Sequence, residues 1–342
     1  MRSNLLLSLL FFLFFLESPA QEQKSYSILF YNTENLFDWE NDSTVNDDEF
    51  TPEGDRHWSY NRFQQKIQNI SKAVLGAAGW DIPALIGLCE VENRFVLEQL
   101  SKNTPLKTYS FQIIHKESPD PRGIDVAVLY NPGLFNPIQY EYFPLLNDNG
   151  SIRRTREILY VKGKLKASSD TLHLFFNHWP SRYSGLLETT EWRFKAAQLL
   201  KQKTDSLLQL SANSKIIILG DFNDQPSDIS ILQILDAHQY SDKSQSGLLY
   251  NLSSGWGKEG KGSLKYQSQW FVFDQVIVSA SLLQNDPNSG IKIPECKIAD
   301  NDFLLEPDER YGGVRPKRTY YGFEYHGGFS DHLPVKLRIE IR

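Results

Sequence analysis

The segment KIIILGDFND, Lys215–Asp224, decides the class of fold. Ile216–Leu219 is an unbroken apolar run, mostly β-branched, closed by a glycine. Such a run reads as a strand buried on both faces. Asp221, Asn223 and Asp224 follow at the strand end, where open α/β sheets place their ligands. Upstream, Leu186–Leu210 has the spacing of a long amphipathic helix, and Thr171–Asn177 before it reads as a strand. Strand, helix, strand and polar turn form the unit of a layered α/β protein.

Further elements appear on either side. Ser25–Tyr31 (SYSILFY) and Pro83–Cys89 (PALIGLC) read as buried strands. Between them, Phe63, Ile67, Ile70 and Val74 recur at helical spacing over Arg62–Leu75. Arg94–Leu100 and Ile229–Leu235 read as short helices. Tyr109–His115, Ile124–Tyr130, Glu157–Leu165, Trp270–Ser279 and Pro334–Ile341 read as strands. Asp38–Asp55 is acidic and aperiodic, and is expected to be a long surface loop. Asn251–Gly262 and Tyr311–Gly328 read as loops as well. Several strands follow each other directly, which excludes an alternating βα barrel. The pattern predicts two sheets packed face to face with helices outside. No repeat or proline-rich linker divides the chain, so a single domain is expected over 21–342.

Composition narrows the function. The 342 residues carry 36 Lys and Arg against 42 Asp and Glu, a net charge of −6. This excludes a broadly basic nucleic-acid coat protein, but not a local basic groove or a bound metal. At 40% apolar and 23% charged residues, the chain can bury a large core. Cys89 and Cys296 are the only cysteines, which excludes a disulfide scaffold or a cysteine-built zinc site. They are expected to be two separate buried thiols. Arg2, the apolar run Leu5–Leu16 and Ser18-Pro19-Ala20 follow the order of a secretory signal peptide over residues 1–20. That reading makes the protein exported, periplasmic or extracellular; an uncleaved anchor is the competing reading. The run is shorter than the ~20 apolar residues of a membrane span, and no later segment is long and apolar enough for one.

Five polar groups lie at the ends of expected strands: Asn32 with Glu34; Glu90 with Glu92 and Asn93; Asn177 with His178; Asp221 with Asn223 and Asp224; and Ser330-Asp331-His332. Each alone is as consistent with a cap or turn as with a site. Together they supply oxygen and imidazole but no thiol, which suits a hard cation such as Mg²⁺ or Mn²⁺. A histidine beside an aspartate suits general-base work on water. Other residues carry two readings. Arg122, Arg182 and the run Arg153, Arg154, Arg156 could bind phosphate or form a solvated face. Trp179 and Tyr183 could stack on a base or pack in the core. Asp125 could bond within a site or support the fold. His57, His115, His173, His238 and His326 lack a motif partner and read as structural or surface residues.

The pieces FYNTENLFD (Phe30–Asp38), LIGLCEVEN (Leu85–Asn93), GIDVAVLY (Gly123–Tyr130), FFNHWPSR (Phe175–Arg182), IIILGDFND (Ile216–Asp224), FDQVIVS (Phe273–Ser279) and GFSDHLPV (Gly328–Val335) resemble the endonuclease/exonuclease/phosphatase superfamily. They occur in the family's order across nearly the whole mature chain, as in an exported bacterial-type member. The resemblance implies a four-layer α/β sandwich, with two central mixed β-sheets flanked by helices. It implies metal binding by Glu90, Asn32 and Asp331, with Glu92 a competitor for Glu90. Cys89 stands where many members have glutamine. It also implies catalytic roles for His332, for Asp274 that orients it, for Asp221 and Asn223, and for His178 as a phosphate contact. Arg182 is expected to bind substrate. Whether Asp221 or His332 is the base stays open at this point. The expected function is that of an exported Mg²⁺-dependent phosphodiesterase (Mn²⁺ is an alternative ion) acting on nucleic acid. A phosphatase or phosphodiesterase for an inositol, sugar or lipid-headgroup phosphoester is the alternative. A noncatalytic binding module is a third reading, disfavoured by the intact polar set. No protein partner is implied.

Overall fold

The computed structural model describes residues 24–79, 81–182, 185–240, 244–283 and 291–341. The expected signal peptide and Tyr183 lie outside them. Six strands form one sheet: β1 (Lys24–Leu36), β2 (Ile82–Val91), β3 (Gln112–Ile114), β4 (Asp125–Tyr130), β12 (Ile291–Ile298) and β13 (Val335–Ile341), in the order β12-β13-β1-β2-β4-β3. Seven form the other: β5 (Phe135–Phe143), β6 (Ile158–Leu165), β7 (Leu172–His178), β8 (Lys215–Asp221), β9 (Ala237–Gln239), β10 (Leu249–Asn251) and β11 (Asp274–Ser279), in the order β5-β6-β7-β8-β11-β10-β9. Both sheets are mixed, with β1–β2 and β7–β8 parallel and most other pairs antiparallel. Helices α1 (Tyr60–Ala78) and α2 (Arg94–Lys102) cover the first sheet, and α3 (Leu186–Leu210) covers the second. This is a four-layer α/β sandwich. No helix of the described residues is long and apolar enough to cross a membrane.

Period-two alternation sorts the second sheet's side chains. On β8, Ile216 and Ile218 face α3, packing with Ala196, Ala197 and Leu200. Ile217 and Leu219 join the core between the sheets, as do Leu174 and Phe176 of β7 and Val276 and Val278 of β11. The two sheets approach closely at Gly87 of β2. A Cβ there would lie 2.3 Å from Phe176 and 3.0 Å from Phe30, so only glycine fits beneath these rings. Transfer of apolar side chains from water, at ~25 cal/mol per Å² of buried area, drives this packing.

Most elements lie within a few residues of the bounds expected from sequence, but the short strands β9 and β10 have no counterpart there, and the expected loop Tyr311–Gly328 contains the short strands Val314–Pro316, Tyr320–Tyr321 and Glu324–Tyr325. β5 and β12 have no counterpart among the expected strands. Both are edge strands in their sheets, and each carries a proline, Pro137 and Pro294, where the register shifts by a bulge. Proline is confined to such positions because it lacks a ladder donor. The apolar run Trp270–Ser279 is two elements. Gln269–Phe271 pairs with Leu264–Tyr266 in a separate hairpin, and β11 begins at Asp274. Cys89 and Cys296 are both free, Cys89 buried and Cys296 half-buried.

Candidate active site

The inward rows of the second sheet turn polar at one end. His178 pairs in register with Asp221, and Asp221 with Asp274. Adjacent register positions share a face, so these three side chains form one row across β7, β8 and β11. They continue the apolar rows Leu174–Phe176 and Ile217–Leu219 of the parallel strands β7 and β8, and Val276–Val278 of the antiparallel β11, which meet at this end. The first sheet brings Asn32 at the end of the paired part of β1, Glu90 on β2, and His332 just before β13. All but Glu90 are buried; its side chain is 16% exposed.

The contacts join the two sheets. Asn32 Nδ2 donates to Asp221 Oδ2 at 3.0 Å. His332 Nδ1 lies 2.6 Å from Asp274 Oδ2, and its Nε2 lies 3.8 Å from Asp221 Oδ2. His178 Nε2 is 3.7 Å from Glu90 Oε1 and 3.8 Å from Asp221 Oδ2. Asn223, in the left-handed region at φ 50°, donates its N–H to Asp221 Oδ1 at 2.9 Å and its Nδ2 to the Trp179 carbonyl at 3.1 Å. Ser330 Oγ donates to the Asn32 carbonyl and accepts the His332 N–H, tying β1 to the loop before β13.

Charge follows from these contacts. Burial opposes charging His332, yet Asp274 and Asp221 outweigh it and hold its pKa well above the ordinary histidine value. Burial and Asp274 lift Asp221 to about 7, against the pull of His332, the Asn223 N–H and Asn32. Burial, with Arg156 and Arg122 nearby, keeps His178 well below its ordinary value. Its Nδ1 has no hydrogen-bond partner among the described residues.

Glu90 is separated from Glu92 by a bulge. Between the pairs Asn32–Cys89 and Leu36–Val91, β1 carries Thr33, Glu34 and Asn35 where β2 carries only Glu90. Glu34, Asn35 and Glu90 all have φ between 52° and 58°. Strand alternation, expected to put both glutamates on one face, is broken at this point. Glu90 Oε2 accepts the Asn35 N–H at 3.0 Å, while Oε1 makes no hydrogen bond among the described residues. Glu92 turns instead to the Asp38 N–H at 2.6 Å. Burial, reinforced by the Asp38 charge, raises the Glu92 pKa to about 9. The folded state therefore keeps a proton that the unfolded chain releases near pH 4.5, and stability falls as pH rises from there toward 9. Glu92→Gln removes this cost. It should stabilise the protein at pH 8 by on the order of 2 kcal/mol and leave it unchanged at pH 4, read by thermal unfolding at both pH values.

Three further residues have defined surroundings. Asp331 pairs with Arg318 at 3.1 Å, and Arg318 reaches Glu34 at 3.0 Å. Burial would raise the Asp331 pKa, but Arg318, His332 and Lys66 outweigh it and hold it below the usual carboxylate value. Arg182 has no free cationic head. It meets Asp224 at 2.7 Å and Asp228 at 2.6 Å, and its Nε donates to the Asn223 carbonyl at 2.6 Å. Sequence reading missed Lys66 and Arg318. Lys66 interrupts the buried stripe of α1 between Phe63 and Ile70, and a lysine in an apolar stripe is a usable signal. Arg318 lies in a loop and gives none.

For Asp125 and Trp179 the contacts favour support of the fold. Asp125 bonds His115 at 2.8 Å and the Ser118 N–H at 2.7 Å, so His115 does have a partner. Trp179 is buried against Phe222, with its indole N–H on Asn177.

The donor chemistry fits a hard divalent cation. Glu90 Oε1, on a side chain that is 16% exposed, makes no hydrogen bond among the described residues and stands 3.7 Å from His178 Nε2, and a free carboxylate oxygen suits such an ion. Asp221, Asp274 and His332 also bring ligand atoms within 4.8 Å of one another. The His332–Asp274 hydrogen bond already accounts for much of that closeness.

Known proteins give the arrangement a lineage. No curated protein sequence matches the chain. Among solved structures, D. rerio TDP2 complexed with a single-strand DNA product is 14% identical, with 92% of this chain and 98% of that one covered and a TM-score of 0.53. A mannosyl-6-phosphatase of Bacteroides thetaiotaomicron is 16% identical, with 92% and 99% covered and a TM-score of 0.55. An endonuclease/exonuclease/phosphatase family protein of the same organism is 15% identical, with 94% and 99% covered and a TM-score of 0.55. At these identities the likeness is one of fold. The family model described as Endonuclease/Exonuclease/phosphatase family matches residues 27–341. With nearly every described element inside that match, the chain belongs to the endonuclease/exonuclease/phosphatase family, whose members are metal-dependent phosphoester hydrolases.

Proposed function

We propose that the protein is an exported, Mg²⁺-dependent phosphodiesterase that hydrolyses nucleic acid by direct attack of water. The observation that carries this reading is the Asp274–His332 pair set against Asp221 and Glu90 where the two sheets meet. Glu90, with Asn32 and Asp331, would hold a divalent cation, which would supply Lewis-acid polarisation at the phosphate. Asp221, poised at about 7, takes the proton of the attacking water. The Asn223 N–H and the Asn32 amide fix its carboxylate for that task. His332 is held as an imidazolium by Asp274 and donates from Nε2 to a phosphate oxygen. His178 is neutral. The carboxylates beside Nε2 favour the tautomer with its proton there, ready to meet charge developing on the phosphate. Arg182 works as a positioning residue that clamps the Asn223 backbone.

Support for a nucleic-acid substrate comes from the structural likeness to TDP2 bound to a single-strand DNA product. The likeness to a mannosyl-6-phosphatase keeps a small phosphoester as the second reading. Incubation with Mg²⁺ and plasmid DNA, RNA, a phosphomonoester panel or sphingomyelin, beside a His332→Ala control, separates them. Cleavage confined to the monoesters would overturn the nuclease reading. Export gives a prediction of its own: protein recovered outside the cytoplasm should begin near Gln21. Sequencing that finds Met1 there would refute the signal peptide.

A further inference from the structure

A pocket of about 580 Å³ opens beside the catalytic rim. Asn35 belongs to both places, since it lines the pocket while its N–H holds Glu90. Pro180 and Ser181, just after His178 and Trp179, line it too. The wall contains Arg56, Arg122, Arg153, Arg154 and Arg156 against two carboxylates, Glu49 and Asp120. In a chain of net charge −6, this is a local excess of positive charge.

Both carboxylates are already engaged. Glu49 pairs with Arg56 at 3.1 Å. Asp120 pairs with the buried Arg156 at 2.9 Å and stands 3.7 Å from Arg122. Arg153 and Arg154 are exposed, and neither forms an ion pair with a carboxylate among the described residues. The Arg153 guanidinium lies 4.0 Å from the Trp192 ring centroid, which orients it without neutralising it. Phe323, also in the wall, is 62% exposed. Its ring has the Arg56 guanidinium 5.5 Å from its centroid.

Cations without a carboxylate partner and an exposed ring, lining one pocket, are the two components of a single-strand binding surface. A substrate with one phosphate places its charge at the catalytic centre and leaves these arginines unused. We propose that the pocket is a nucleotide subsite for the single-stranded segment next to the scissile bond, in which Arg153 and Arg154 take a second phosphate and Phe323 stacks on a base. A duplex keeps its bases stacked on each other and offers Phe323 none. This inference rests on the phosphodiesterase reading above and names the part of the substrate that the reading leaves open.

The test compares a single-stranded oligonucleotide with the p-nitrophenyl ester of thymidine 5′-monophosphate, which carries one phosphate. Arg153→Ala/Arg154→Ala should raise KM for the oligonucleotide about tenfold, because it removes charged hydrogen bonds to phosphate. Its kcat, and both constants for the ester, should stay within about twofold, because neither arginine touches the reacting atoms. Oligonucleotide Kd, read by fluorescence anisotropy in chelator, should rise in parallel, and its salt slope should fall by ~0.7 for a phosphate that is no longer neutralised. Phe323→Ala should raise the same KM without changing the salt slope. An unchanged KM and Kd in the double variant would overturn the subsite while ester hydrolysis left the phosphodiesterase reading intact. Loss of hydrolysis of both substrates by the wild type would overturn the phosphodiesterase reading, and the anisotropy arm would still decide the subsite. An unchanged oligonucleotide KM and Kd in Phe323→Ala would overturn the stacking role of Phe323.

Discussion

Asp221→Asn and His332→Ala will each lower kcat by ~10²–10⁴-fold, the range for loss of a general base or a positioned proton donor. Both side chains lie where apolar rows give way to a polar rim, so their removal empties no apolar cavity. Thermal unfolding on the same preparations should therefore move far less than turnover. Both residues act on one transition state, so the Asp221→Asn/His332→Ala variant should lose less than the product of the single losses. Asp274→Ala should act through the ring that it holds at 2.6 Å, and add little once His332 is gone. It also removes a buried charge whose Oδ1 has no hydrogen-bond partner among the described residues, so its stability should be followed separately. Near-wild-type turnover in folded His332→Ala would defeat the mechanism.

Chelation should abolish activity, and Mg²⁺ or Mn²⁺ should restore it. The protein groups that hold the ion are best probed with Glu90→Gln rather than Glu90→Ala. Glutamine keeps the side-chain volume and the acceptor for the Asn35 N–H, while removing the charge. At φ 58° either replacement retains the backbone strain of the bulge. Glu90→Gln should require far more Mg²⁺ for half-maximal activity and lose at least ~10²-fold in kcat at the wild-type optimum. Glu92→Gln should leave the Mg²⁺ requirement unchanged, because its carboxylate faces Asp38. A metal titration followed by calorimetry distinguishes the two glutamates without relying on turnover. Full activity in excess chelator would remove the metal from the reaction.

Much of this architecture can be read from residue patterns. KIIILGDFND yields a core strand because both of its faces are apolar, one toward α3 and one toward the other sheet. The helix over Leu186–Leu210 matches its expected bounds, since its spacing is sustained over many turns. Edge strands are hidden for the opposite reason. Phe135–Phe143 is largely exposed and contains Pro137, so neither burial nor alternation marks it. At the site, motif residues are legible one by one, but their mutual placement depends on the bulge at Glu90, which no spacing rule announces. The pairing of Arg318 with Glu34 joins a loop to β1 across 284 positions and leaves no local trace. The arginine run Arg153–Arg156 looks uniform in sequence. Folding divides it, with Arg156 buried on Asp120 and its two neighbours left facing solvent.

The first sheet is built from both ends of the described chain. β13 lies between β1 and β12, and Lys24 pairs with Ile341. During synthesis, β1 and β2 emerge long before the strand that completes their sheet. His332 emerges with that strand, and with it the group that Asp274 orients. A ribosome-bound chain can therefore assemble much of the second sheet while the first still lacks an interior member. Completion of the first sheet and delivery of His332 to Asp274 are therefore a single event, late in the making of the described chain.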